Sequence, residues 1–236
     1  MKLKVLGNNG PYPSVGGACS AYLLTSDSGN TRLLIECGTG MLSMLQREAS
    51  FDSLSAVILS HLHFDHMSDI LPMQYALQFH PRSPLPVYAP RTPENVRALL
   101  NAPCYAPQDI SDAQIGEMKI SVCPVRHPVE TYALRIECDG RVFTYTGDTN
   151  EIEILDSFCA GADLLLADAG LSSEHWSINA PHLSARGCGE LAQRAGVKKL
   201  LLTHLNPRYT PEQLVEEAKA AFPNCEFTNP GSEYAV

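Results

Sequence analysis

Apolar residues in this chain of 236 residues come in short runs, separated by polar or glycine-containing segments. Runs rich in Val, Ile, Leu and Tyr predict β-strands. The predicted strands are Leu3–Leu6, Ala21–Thr25, Arg32–Cys37, Ala56–Leu59, Val87–Ala89, Lys119–Val125, Tyr132–Cys138, Val142–Tyr145, Leu164–Ala167 and Lys199–Thr203. Apolar residues at helical spacing predict helices at Met41–Glu48, Ser68–Gln78, Pro93–Leu100, Ala185–Ala195 and Pro211–Ala221, the last with Thr210 as its N-cap.

The predicted strands and helices do not alternate strictly along the chain. This order favours an α+β fold in which two sheets pack face to face and helices cover the outside. The length suits one domain over residues 1–236, without an internal repeat or a low-complexity tract.

Three predicted strands end in polar residues that can bind metal. Ala56–Leu59 leads through Ser60 into His61, Val142–Tyr145 leads into Asp148, and Lys199–Thr203 leads into His204. Strand ends hold side chains rigidly while facing a shared cleft, which is what a defined metal geometry requires. This recurrence predicts a site at one edge of the sheets.

Composition narrows the class of substrate. Charged residues make up 18% of the chain and the net charge is −9, and no cluster of Lys or Arg occurs. A broad electrostatic surface for nucleic acid is therefore not expected. Two divalent cations in one cleft would still attract an anionic substrate locally.

The cysteines and the N-terminal segment indicate the compartment. The eight cysteines form no CxxC pair and most lie in apolar segments, which predicts reduced thiols. The chain has no signal-peptide pattern and no apolar run of 18 residues. We therefore expect a cytoplasmic protein without a membrane span.

The chemistry concentrates in one short segment, which we call the histidine loop (residues 61–66). It contains His61, His63, Asp65 and His66, four metal-ligand side chains in six residues. Imidazole and carboxylate donors suit Zn²⁺, with Mn²⁺ or Fe as alternatives. A structural role is the competing interpretation, but a closed structural zinc site takes four ligands and often uses cysteine. Crowded polar groups without a partner would be costly, which favours metal.

The histidine loop, followed by His127, Thr146–Thr149 and Thr203–Leu205, resembles the metallo-β-lactamase superfamily over nearly the full chain. The resemblance implies an αββα sandwich with two metal ions at one edge. It also implies the division of ligands. One ion would be bound by His61, His63 and His127, the other by Asp65, His66 and His204, with Asp148 and a hydroxide bridging them. Ions about 3.5–4 Å apart lower the pKa of such a water toward neutrality, and Asp65 could also orient it.

Within the superfamily the chain is most similar to ribonuclease Z and related phosphodiesterases, through Pro181–Ser184 and the segment around His204. The resemblance implies that His182, paired with Asp168, protonates the leaving alkoxide. The alternative for His182 is a surface position beside the N-cap of the next helix. Ribonuclease Z carries a long arm for transfer RNA between its third histidine and the bridging aspartate. Only twenty residues separate His127 from Asp148, filled by two predicted strands and the turn Asp139-Gly140, so no arm fits.

We therefore expect a hydrolase of a small, cyclic or nucleotide phosphodiester or of an RNA end, and not of full-length transfer RNA. Two alternatives remain at this stage. One is hydrolysis of a thioester, lactone, sulfate ester or β-lactam at the same two-metal site. The other is a metal-carrying protein that binds its ligand without turnover. The pair of His182 and Asp168 distinguishes phosphodiester hydrolysis from hydrolysis of the other bonds, because an alkoxide leaves poorly without a proton donor.

Other residues allow two interpretations each. The glycine-containing loop after the first strand, residues 8–17, either shapes the rim of the cleft or contacts phosphate. The loop with His175 and Trp176 either covers substrate or packs on the body, and Arg208 contacts a phosphate or pairs with Glu212. His80 is predicted to end a helix in a structural role. By the same resemblance we expect a homodimer, with contacts through Phe64, Met67, Met73 and the helix Ser68–Gln78.

Overall fold

In a computed structural model of the protein, residues 1–79 and 83–236 are described. His80, with its predicted role at a helix end, lies outside the described residues. Within these ranges the strands are β1 (Lys2–Gly7), β2 (Ala21–Thr25), β3 (Arg32–Ile35), β4 (Ala56–Ile58), β5 (Leu85–Ala89), β6 (Tyr105–Asp109), β7 (Ala113–Ile115), β8 (Met118–Pro124), β9 (Tyr132–Cys138), β10 (Arg141–Tyr145), β11 (Leu164–Asp168), β12 (Leu200–Thr203), β13 (Cys225–Phe227) and β14 (Glu233–Ala235).

The strands form two seven-stranded mixed sheets in the described part of the chain. The first has the order β14-β1-β2-β3-β4-β5-β6, and the second has the order β13-β12-β11-β10-β9-β8-β7. In each sheet one half is antiparallel and the other half, β3 to β6 or β10 to β13, is parallel. The carboxyl ends of parallel strands lie at the same edge of a sheet, and the candidate site lies at this edge.

The helices are α1 (Met41–Glu48), α2 (Phe64–Met67), α3 (Ile70–Leu77), α4 (Glu94–Arg97), α5 (Ile154–Phe158), α6 (Ala185–Ala195) and α7 (Pro211–Lys219). One apolar core lies between the sheets, around Tyr22, Phe143 and Tyr145. Two further cores lie under the helices, one on the outer face of each sheet. The predicted α+β sandwich is therefore confirmed.

The ends of two predicted helices match their chemistry. The Thr210 side chain accepts a hydrogen bond from the Gln213 amide, as an N-cap does, and Ser184 caps α6 in the same way. Other boundaries were wrong. The predicted helix Ser68–Gln78 begins at Ile70, and Pro93–Leu100 divides into α4 and a 3₁₀ turn. Short β6, β7, β13, β14 and α5 were not predicted, since three to five residues carry little periodicity.

The cysteines and the helices of the described ranges bear on two further predictions. All eight cysteines lie in them and are free thiols, as expected. No helix in the described part of the chain combines the length and the apolar character needed to span a bilayer.

Candidate metal centre

The candidate site is built at the strand ends where the two sheets meet. His61 follows β4 after Leu59 and Ser60, Asp148 follows β10, and His204 directly follows β12. The histidine loop turns at His63, the N-cap of the four-residue helix α2, which redirects Asp65 and His66. The structure brings all seven predicted ligand side chains into two adjoining groups.

The first group consists of His61, His63 and His127. Their nearest ring nitrogens lie within 4.8 Å of one another. His63 Nδ1 is 3.1 Å from His61 Nε2 and 3.1 Å from His127 Nε2. Three imidazole nitrogens that converge on one point match the donor set of a three-histidine metal site.

The second group consists of Asp65, His66, Asp148 and His204. His66 Nε2 lies 3.2 Å from Asp148 Oδ2 and 3.5 Å from Asp65 Oδ2, and His204 Nδ1 lies 3.4 Å from Asp148 Oδ1. Asp148 Oδ2 is also 3.7 Å from His61 Nε2 of the first group. Asp148 therefore lies between the two groups, as a bridging carboxylate would.

Several buried polar atoms of this cluster have no hydrogen-bond partner. They include His66 Nε2, Asp148 Oδ1 and His204 Nδ1. A buried polar group without a partner costs about 1–3 kcal/mol, more when it is charged. Divalent cations would satisfy these atoms, so the donor set fits two metal ions.

The pKa values of the cluster agree with metal binding for most ligands. Burial lowers the pKa of His61, His63 and His204, which keeps these rings neutral and able to donate a lone pair. Burial alone would raise the pKa of Asp148, but His204 and His66 hold it well below its usual range. Burial opposes protonation of His66 too, yet Asp148 and Glu36 raise its pKa, so a metal must displace a proton there.

A buried carboxylate that the sequence analysis did not identify supports both groups. Glu36, directly after β3, accepts from the Ser60 amide at 3.2 Å and from the Ser60 hydroxyl, which in turn lies 3.0 Å from His61 Nδ1. Its other contact is with His66 Nδ1 at 3.3 Å. Glu36 thus orients one ring of each group. The available signal was a Glu that ends an apolar strand one residue after Ile35.

The backbone is strained at two of these positions. Glu36 has φ 62° and His204 has φ 61°, both in the left-handed region that non-glycine residues avoid. The loop after β1 packs directly against His204, and only glycine fits at position 10, because a Cβ there would lie 2.0 Å from the His204 ring. The glycine-containing loop therefore shapes the cleft, in agreement with the first of its two interpretations.

His182 and Asp168 form a dyad beside the cluster. His182 Nδ1 is 2.8 Å from Asp168 Oδ2, and its ring stacks on the His204 ring at 4.8 Å between centroids. The buried Asp168 also accepts from the Thr149 and Gly170 amides, which fixes its orientation. Both Asp168 oxygens are therefore engaged in hydrogen bonds, although the dyad also lies close enough to Asp148 and His204 to form a third candidate metal-binding group.

Burial by itself would lower the pKa of His182, but the carboxylate of Asp168 offsets this and raises the pKa to about 9. A ring that is protonated at neutral pH can donate a proton from Nε2 while Asp168 holds Nδ1. The His182 side chain lies two residues before the N-cap Ser184 but is only 19% exposed, so most of its ring is shielded from solvent.

The two remaining loop residues have structural contacts. Trp176 donates its indole N–H to Asn150 Oδ1 at 2.9 Å, which ties it to the body. Arg208 Nη2 lies 3.3 Å from His175 Nε2, a contact that neither of its two interpretations anticipated. The predicted subunit contact is wrong for Met67 and Met73, because both are fully buried under the first sheet, whereas Phe64 is exposed.

The segment between His127 and Asp148 contains the hairpin of β9 and β10 with its tight turn at Asp139-Gly140. Asp139 and Gly140 both have positive φ, as such turns require. The prediction that no inserted arm lies between these two residues is confirmed.

Known proteins provide an independent comparison. Residues 31–205 match the family described as beta-lactamase superfamily domain. A probable metallo-hydrolase of Bacillus subtilis (strain 168), YhfI, is 32% identical over 231 residues, which cover 94% of each chain. The crystal structure of YhfI, a metallo-beta-lactamase fold protein, matches with a TM-score of 0.93 over 99% of both chains.

Ribonuclease Z of Archaeoglobus fulgidus is 27% identical over an alignment of 290 positions, gaps included, that covers 94% of each chain. Human tRNase Z, short form, has the same fold, with a TM-score of 0.83 at 16% identity over 100% of this chain and 99% of that chain.

Proposed function

Since the chain belongs to the beta-lactamase superfamily, among its metallo-hydrolases, we propose that it is a two-metal phosphodiesterase acting on a small, cyclic or nucleotide phosphodiester or an RNA end. The observation that carries this proposal is the dyad. His182, held by Asp168 at 2.8 Å, faces the metal cluster with its second ring nitrogen free to protonate a leaving alkoxide.

The proximity of the side chains supports a division of the ligands between two ions. We assign His61, His63 and His127 to one ion and Asp65, His66 and His204 to the other, with Asp148 shared. Nitrogen and carboxylate donors without cysteine favour Zn²⁺, with Mn²⁺ or Fe as alternatives. When bound, such ions stabilise charge on the attacked phosphoryl group and lower the pKa of a water toward neutrality.

The chain's own groups complete the reaction. Asp65 is 11% exposed, more than Asp148 at 2%, so its carboxylate can both bind metal and accept a hydrogen bond from the attacking water. Glu36 keeps the His61 and His66 rings in place during turnover. His182 donates its proton to the departing oxygen.

Substrate size follows from the hairpin between His127 and Asp148. Because β9 and β10 fill this segment, no arm is available there to hold a folded transfer RNA. The net charge of −9 gives no broad attraction for a polyanion. A substrate that presents one phosphodiester to the cleft meets both conditions.

One assay tests the proposal against its rivals. Purified protein is analysed for bound metal and offered bis(p-nitrophenyl) phosphate, a thioester and a β-lactam, with Asp148→Ala as control. We expect phosphodiester turnover that needs about two metals per chain and is lost in the variant. Consumption of the thioester or lactam alone would leave only the hydrolase class. Metal binding without any turnover would favour a metal carrier.

A further inference from the structure

The loop that carries His182 is closed on itself and anchored from two sides. We call residues 171–184 the His182 loop. A bridge between Leu171 and Ser184 closes its base, and the Ala185 amide donates to the Leu171 carbonyl at 2.9 Å. On the outer side, the Ser173 amide and hydroxyl both donate to Glu217 Oε2 at 2.7 Å.

The inner anchor is one buried side chain, Asn150. Its Nδ2 lies within hydrogen-bond distance of three loop carbonyls, which share its two N–H groups: those of Ser177 at 3.0 Å, Ile178 at 3.2 Å and Ala180 at 2.6 Å. Its Oδ1 accepts from the Trp176 indole at 2.9 Å, so four of five successive loop residues contact this amide. Asn150 is fully buried, and its Oδ1 also accepts a hydrogen bond from the Glu151 amide at 2.6 Å, so both ends of the side-chain amide have partners.

The two loop residues that follow the Asn150 contacts both reach the site. The Pro181 carbonyl lies 3.0 Å from His127 Nδ1, and the next residue, His182, is held by Asp168. The Asn150 backbone amide also donates to the Arg126 carbonyl at 3.0 Å, directly before His127. Asn150 therefore reaches His127 by two routes, through the chain before it and through the carbonyl that orients its ring.

We propose that Asn150 is a positioning residue that fixes the His182 loop, and thereby sets both the ring of His127 and the direction of the His182 proton. The inference rests on the proposed function for the roles of these two histidines. An amide is required because the position needs a donor toward three carbonyls and an acceptor toward an indole N–H.

Trp176 provides a readout that does not depend on any substrate, because it is the only tryptophan in the chain. All tryptophan emission therefore reports the docking of this loop. With metal removed by a chelator, Asn150→Ala is expected to shift the emission to longer wavelength and to increase quenching by acrylamide. Asn224→Ala is the matched control, since Asn224 also donates to a backbone carbonyl, that of Lys198, but lies exposed.

Asn150→Asp separates positioning from simple filling of space. It keeps the volume and the acceptor for Trp176 but turns an oxygen toward three carbonyls. We expect it to release the loop as Asn150→Ala does. A role in packing alone predicts instead that Asn150→Asp restores wild-type emission and activity.

On the metal-loaded enzyme, Asn150→Ala should lower kcat more than it changes KM, and the loss should grow as the leaving group becomes more basic. Metal affinity should fall by about 10–100-fold, as when a group that orients a ligand is removed. Trp176→Phe, which deletes one of the contacts, should lower kcat by less.

Wild-type emission and quenching in Asn150→Ala, with kcat and metal affinity equal to those of Asn224→Ala, would overturn the proposal. Should Asn150→Ala fail to fold by circular dichroism, Asn150→Ser is measured in the same way, and wild-type behaviour there would overturn it equally. If the wild type cleaves no phosphodiester, the emission and metal-affinity arms still decide this inference, so the two failures remain distinguishable.

Discussion

The two sheets contribute to the candidate centre in different ways. The first sheet supplies the histidine loop, four side chains within six residues that follow one strand. The second sheet supplies His127, Asp148 and His204 one at a time, from positions spread over 78 residues, together with the His182–Asp168 dyad. Local chain geometry sets the first contribution, whereas only strand order sets the second. The strand pairing of Asp168 with Thr203, for example, brings the dyad beside His204.

The largest effect is expected where both contributions meet. Asp148→Ala removes the carboxylate between the two groups, so the affinity for both ions should fall and hydrolysis should drop to background. His63→Ala and His127→Ala, one from each sheet, should each cost the same ion. Elemental analysis after gel filtration measures metal per chain. A double variant of His63 and His127 that retains less metal per chain than either single variant would contradict the grouping.

A smaller effect is expected from the dyad, which only the second sheet supplies. His182→Asn should lower kcat by about 10²–10⁴-fold for a substrate with an alkoxide leaving group, because the proton donor is lost. Turnover of bis(p-nitrophenyl) phosphate should fall much less, since its p-nitrophenolate leaving group departs without a proton. His175→Asn, in the same loop, is the control. Equal losses for both leaving groups would remove the acid role.

Substitution of Glu36 tests whether the histidine loop positions its metal ligands without help from the rest of the first sheet. Glu36→Gln keeps an acceptor for Ser60 but removes the charge beside His66, so metal affinity should fall by about 10–100-fold. Competition with a chromogenic chelator measures this. Glu48→Gln, at a surface contact with Lys4, should leave affinity unchanged. An unaltered affinity in Glu36→Gln would show that the loop positions its ligands unaided.

The smallest effect concerns stability and pH. The folded pKa of His182 is about 9, above its unfolded value of about 6.5. The pairing therefore stabilises the fold fully below about pH 6.5 and loses this contribution as pH rises through about 9. In urea with chelator, wild type should lose more stability over this window than Asp168→Asn. Parallel pH profiles would show that the pair contributes nothing.

The long strands and the helices α1 and α6 could be predicted because several turns or alternations carry their own periodicity. The short edge strands β7, β13 and β14 could not, because three residues form a strand only when a neighbouring strand is present. Met67 and Met73 were misplaced for a related reason, since the burial of one helix face depends on what covers it.

By itself, the sequence determined the types of donor, the histidine loop and the strand ends, because these depend on residue identity and on contacts a few residues apart. The resemblance implied which histidines share a group and that Asp148 bridges them, but only the tertiary structure brought these distant side chains together. It also placed Glu36 beside His61 and His66, and Asn150 against the loop that carries His182. These relations join residues tens of positions apart. They are fixed by the pairing of parallel strands and by buried hydrogen bonds, which leave no local pattern in the chain.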